Sequence, residues 1–176
     1  MDILTVPNDI LNKPTRPVTE FDENLRKTVR KMEEMLKNQR DPEGVGLSAN
    51  QIGLNLRLAV VRLNPEESDS APHFLAIANP KIVSQSPTEQ GEYEACLSVP
   101  NQYGMVERAS AITVQFQGLK GETLTIKATG FLARIFQHEI DHLDGKLITE
   151  RSAGPFLTES ELEKLLKNSK SQTPML

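Results

Sequence analysis

The run His138-Glu139-Ile140-Asp141-His142 constrains this chain more than any other feature of its sequence. On a helix, residues four apart stack on one face. His138 and His142 can therefore offer two imidazoles to one metal ion, with Glu139 beside them and within reach of a water on that ion. The chain has only three histidines, so a chance pair of surface histidines around a Glu is a poor explanation. Two ligands are too few, because catalytic zinc-type sites hold three and keep one position open. The candidates for the third are His73, the single cysteine Cys96, and a downstream carboxylate. A lone Cys is more often a small buried hydrophobe or a nucleophile paired with a histidine. Next to the histidine pair the ligand reading leads, since a thiolate suits the softer divalent metals.

The metal-bearing segment, about Phe131 to Leu143, reads as a helix that Asp144-Gly145 ends. An earlier helix, about Asp22 to Gln39, carries Leu25, Val29, Met32 and Leu36 on one face. Asp22 or Thr19 caps it, and Asp41-Pro42-Glu43-Gly44 breaks it. Between the two helices lie β-rich stretches: Leu56 to Leu63, Phe74 to Ile77 and Lys81 to Val83 around an Asn79-Pro80 turn, and Glu92 to Val99. A hairpin joins Ala111–Gln117 to Glu122–Lys127. Gly44 to Gln51 is small and Gly-punctuated, a segment that must approach something closely. Thr158 and Glu161 form a capping-box pattern for a last helix near 159–168. Helices segregated from adjacent strands argue for an α+β fold in one domain over 1–176. Its mostly antiparallel sheets should pack around a central metal-binding helix, with an N-terminal helix and a short C-terminal one.

The net charge of −4 gives no reason to expect nucleic acid, DNA included, as the main ligand, because phosphate binding needs a clustered positive surface. One cysteine permits no internal disulfide and fits a reducing compartment. The start, MDILTVPNDILNK, lacks the basic and apolar regions of a secretory signal. No apolar run approaches the ~20 residues that a membrane helix needs. These features point to the cytoplasm, or to an organelle after loss of a transit peptide.

Three motifs occur in order: Gly44-Val45-Gly46-Leu47-Ser48-Ala49-Asn50-Gln51, Glu94-Ala95-Cys96-Leu97-Ser98, and His138-Glu139-Ile140-Asp141-His142. Together they resemble the peptide deformylases, which carry GxGxAAxQ, EGCLS and HExDH in that order. HExxH alone is shared by many peptidases, whereas the triple combination is specific. The resemblance implies Cys96, His138 and His142 as metal ligands and Glu139 as the general acid–base residue. It implies that Gln51 and the Leu97 backbone N–H stabilise the oxyanion, and that the Gly46 backbone pairs with the substrate chain. It further implies removal of the N-formyl group from the methionine of nascent polypeptides, releasing formate. Ferrous iron is the metal it implies; zinc, nickel or cobalt also suit the ligand set.

Two positions depart from the family pattern. Ser48 stands where Ala is usual, and a buried hydroxyl needs a partner. Ala95 stands where Gly is usual; if that position requires φ > 0, Ala is strained by ~1 kcal/mol. Val45, Phe131 and Ile135 are candidates for a methionine pocket, weighed against plain core packing. Glu94 is expected to pair with Arg108, and Asp141 to orient an imidazole. Lys164, Lys167 and Lys170 form a candidate ribosome contact, weighed against a solvated helix end. Two rival functions stand beside the deformylase. One is a zinc peptidase with Glu159, Glu161 or Glu163 as third ligand. The other is a non-catalytic metal-containing relative that binds N-termini.

Overall fold

The computed structural model describes residues 2–39, 43–64 and 71–170. The first helix, α1 (Glu23–Asn38), buries Leu25, Val29, Met32 and Leu36, the stripe its periodicity predicts. Its cap is Asp22, whose carboxylate accepts the Leu25 N–H at 2.9 Å. The expected break at Asp41-Pro42 lies outside the described residues.

Five strands form one antiparallel sheet: β1 (Gly46–Ser48), β2 (Leu58–Arg62), β3 (Phe74–Gln85), β6 (Ala111–Gln117) and β7 (Thr123–Thr129), in spatial order β1-β2-β3-β6-β7. A separate hairpin pairs β4 (Glu89–Cys96) with β5 (Val99–Ala109). The metal-motif helix is α2 (Gly130–Leu143), followed by one turn of helix, α3 (Ile148–Arg151), and by α4 (Glu159–Lys170). The mixed helices and antiparallel sheets make an α+β fold, as expected.

The run Leu58-Ala59-Val60-Val61 is apolar throughout because β2 is covered on both faces. Leu58 and Val60 pack in the cluster that holds the α1 stripe. Ala59 and Val61 pack with Ala133, Phe136, Ile140 and Leu143 of α2. Thus α2 lies on one face of the sheet, and its opposite side turns towards the β4–β5 hairpin.

Two expectations need correction, and one element was not expected at all. Asn79-Pro80 is not a turn between two strands but a bulge within the continuous β3, where pairing with β6 shifts between Ala78 and Lys81. Asn79 adopts φ 52, and its side chain bonds both the N–H and the carbonyl of Val18 at 2.8 Å. Pro80, which has no N–H to give, is tolerated at such a bulge. Second, Glu92–Val99 is not one extended piece. The chain reverses at Leu97-Ser98 and returns as β5, a turn without the usual Gly or Asn signal. Finally, α3 has no counterpart in the periodicity reading, being a single turn.

Candidate metal centre

The turn at the end of β4 and the buried side of α2 meet at three side chains. Cys96 Sγ lies 3.2 Å from His142 Nε2, which lies 3.2 Å from His138 Nε2. All three candidate ligand atoms fall within 4.8 Å of one another. Among the described residues no other group of three is placed to hold a metal. His73 is exposed and takes no part. Of the carboxylates that a peptidase reading would recruit, Glu161 caps α4 by accepting the Thr158 N–H at 2.8 Å, Glu163 pairs with Lys167, and Glu159, which borders a second cavity beside Cys96, is not in the metal-holding group.

The electrostatics suit a divalent cation. Burial alone would push the Cys96 thiol up, but His142 and His138 beside it hold it well below the usual thiol range. Burial would lower His138, yet Cys96 and Glu94 raise it well above an ordinary imidazole. A thiol that ionises readily thus sits beside an imidazole held cationic, a balance in which a metal ion can take the proton's place.

Behind the site lies a buried charge network. His138 Nδ1 donates to Glu94 Oε2 at 3.0 Å, which leaves Nε2 facing the other two donors. Arg108 holds both Glu94 oxygens, at 2.6 and 2.9 Å, and both residues are buried. The expected Glu94–Arg108 pair therefore forms, in the interior rather than on the surface. Burial would raise the Glu94 carboxyl, but Arg108 and His138 hold it well below the usual carboxylate range. Asp141 does not orient an imidazole. It accepts from Arg108 at 2.6 Å and from Arg151 at 2.6 and 3.1 Å, and these two guanidiniums occupy both of its oxygens. Arg134, one helical turn before His138, donates to Glu94 at 2.6 Å and to the Val106 carbonyl at 2.9 Å. The sequence reading missed Arg134 and Arg151; position i−4 from His138 was the available signal for the first.

A cavity of about 270 Å³ opens in front of the candidate ligands. Val45, Phe131 and Ile135 all line it, and so do Gly46, Gln51 and Glu139. Cys96, Leu97 and His138 border the same space. Tyr93 and Tyr103, absent from the sequence reading, supply part of its wall. Ile135 is buried, whereas Phe131 is 40% exposed at the mouth.

The two motif departures find simple homes. Buried Ser48 places its hydroxyl 2.9 Å from Asn50 Oδ1 and 3.0 Å from Gln51 Oε1, so it is satisfied. Gln51 Oε1 also accepts the Ser48 N–H at 2.9 Å, which fixes the amide with its NH₂ towards Ser98 Oγ and the cavity. Ala95 sits in β4 opposite Tyr103; among the described residues the non-glycine ones at positive φ are Asn79 and Asn101. The strain considered for Ala95 is therefore absent. Burial pushes the Glu139 carboxyl above the usual range, and among the described residues its Oε2 has no hydrogen-bond partner.

The model of the polypeptide deformylase family matches residues 1–155. Peptide deformylase 1 of Bacillus subtilis is 39% identical over 160 residues, covering 91% of this chain and 94% of that protein. Among solved structures, the peptide deformylase of Thermotoga maritima superposes with a TM-score of 0.78 at 36% identity, covering 87% of this chain and 97% of that one. A Met-Ala-Ser-bound class I type b peptide deformylase from Acinetobacter baumannii gives 0.75 at 33% identity, covering 86% and 97%.

Proposed function

The chain belongs to the polypeptide deformylase family, metal-dependent hydrolases of the N-formyl amide, and from that premise we propose how its own residues divide the work. Cys96, His138 and His142 hold one divalent ion. Their convergence within 4.8 Å, beside a cavity that Glu139 also lines, is the observation that carries the reading. When bound, the ion supplies Lewis acidity, acidifying a water and polarising a carbonyl. Ferrous iron is the ion we propose for the cell, with zinc, nickel and cobalt as alternatives the same donors accept.

Glu139 takes the proton of the attacking water at its carboxylate while the water oxygen bonds to the formyl carbon. The Gln51 amide and the Leu97 N–H face the oxygen that turns negative, and one such donor is worth ~3 kcal/mol. As the carbon–nitrogen bond breaks, Glu139 delivers the proton to the leaving nitrogen. The products are formate and a free amino terminus. The methionine side chain enters the space between Val45, Phe131 and Ile135. The substrate backbone pairs at Gly46, since among the described residues β1 is an edge strand paired with β2 alone and Gly46 lines the cavity. A relative with Met-Ala-Ser bound supports a peptide that begins with methionine as the ligand of this cavity.

The substrate we propose is the formyl-methionyl end of nascent polypeptides, met in the cytoplasm. Among the described residues no helix is long and apolar enough to cross a membrane. A ribosome contact through α4 draws little support, because Lys167 is paired with Glu163 and the Lys170 side chain lies outside the described residues. We treat residues 1–176 as one domain, since α1 and α2 share the same sheet.

The test is to load the protein anaerobically with ferrous iron and follow formate release from a formyl-Met peptide, beside a Glu139→Gln variant. Turnover by the parent and a loss of about 10²–10⁴-fold in the variant is the expected result. A parent that holds one ion per chain and releases no formate would overturn the assignment.

A further inference from the structure

Glu139 is buried, and among the described residues no hydrogen bond to its Oε2 tells the carboxylate where to sit. What it does touch is a space where a side chain is missing. A Cβ built on Gly46 would lie 2.3 Å from Glu139 Oε1, 2.8 Å from its Cδ and 2.9 Å from its Cγ. No real Cβ approaches atoms so closely, so the Glu139 side chain fills the volume that any other residue at position 46 would occupy. The glycine is not required for its dihedral, because Gly46 is absent from the glycines at positive φ. It sits in β1 in register with Val61, where an alanine backbone would be comfortable.

We propose that Gly46 is the positioning residue for Glu139: its bare Cα is the wall that sets where the proton-carrying carboxylate stands. This rests on the assignment of Glu139 as the acid–base residue and goes beyond pairing of the Gly46 backbone with substrate. The neighbouring glycine shows the contrast. A Cβ on Gly44 would strike Leu36 Cδ1 at 2.6 Å and the Leu36 carbonyl at 2.9 Å, a conflict with helix backbone that only the fold can relieve. At Gly46 the obstacle is one side chain, so the carboxylate moves and the fold stays.

The experiment is a double-substitution cycle with Gly46→Ala and Glu139→Asp in the iron-loaded protein. Gly46→Ala alone should melt within a few degrees of the parent, keep one metal per chain, and bind the product peptide Met-Ala-Ser within about threefold of the parent. Its kcat should fall about 10²-fold, the usual consequence of displacing a reacting group by about 1 Å. Glu139→Asp already withdraws the carboxylate, so adding Gly46→Ala to it should cost less than about threefold. Equal losses in both backgrounds would overturn the proposal, as would parent-like kcat, a parallel loss of Met-Ala-Ser affinity, or failure of Gly46→Ala to fold. If instead Glu139→Gln, which has no carboxylate, turns over like the parent, the acid–base assignment itself falls, and the proposal with it.

Discussion

Arg108 grips both carboxylate oxygens of Glu94 from within the protein, at 2.6 and 2.9 Å, while the same carboxylate accepts the Nδ1–H of His138. The pair therefore acts on the metal site through the orientation of one imidazole. Glu94→Ala should lower metal affinity about 10–100-fold, read by chelator competition. It should also cost about 3 kcal/mol in denaturant unfolding, because Arg108 and Arg134 lose a buried counter-charge. Arg151→Met provides the control. Arg151 is 44% exposed and Asp141 keeps Arg108, so the loss should stay below about 1 kcal/mol. Equal losses for the two variants would refute the ranking.

Removing the thiol separates this site from a histidine-plus-carboxylate one. Cys96→Ala should no longer retain one ion per chain after gel filtration. Stoichiometric metal in that variant, measured by elemental analysis, would return the third ligand to an acidic residue and revive the peptidase reading.

Ala95 lies in extended backbone, so glycine there relieves nothing. Ala95→Gly should destabilise the protein by about 0.5–1 kcal/mol through added freedom of the unfolded chain. A more stable variant would show that strain exists at this position after all.

Gly145 closes α2 at φ 74, and a Cβ there would meet the Lys13 backbone at 2.7 Å. Backbone cannot step aside as a side-chain end can. Gly145→Ala should cost at least about 2 kcal/mol, combining the left-handed conformation with overpacking. Thermal melting of the variant against the parent gives the answer.

The pocket assignment can be tested by filling it. Val45→Phe places a ring in a cavity of about 270 Å³. KM for a formyl-Met peptide should rise at least about tenfold, and less for a formyl-Ala peptide whose side chain needs little room. The same KM change for both peptides would mean that Val45 belongs to the core rather than to the pocket.

By itself the sequence determined the local elements and the chemistry. The four apolar residues of α1 recur at helical spacing, and His138 and His142 stand four apart. Glu161 follows Thr158 by three, so each pattern closes within a turn or two and needs no distant partner. The tertiary structure decided everything that joins remote segments. No local signal distinguishes Glu94 from Asp141 as the partner of His138, because the choice depends on how the β4–β5 hairpin docks on α2. The bulge at Asn79 is likewise set by Val18, far back in the chain. The contact of Gly46 with Glu139 spans β1 and α2, and a glycine in a sequence does not say which neighbour fills the space it leaves. Periodicity is written along the chain, whereas close approach is a property of the packed interior, where atoms exclude one another wherever they come from.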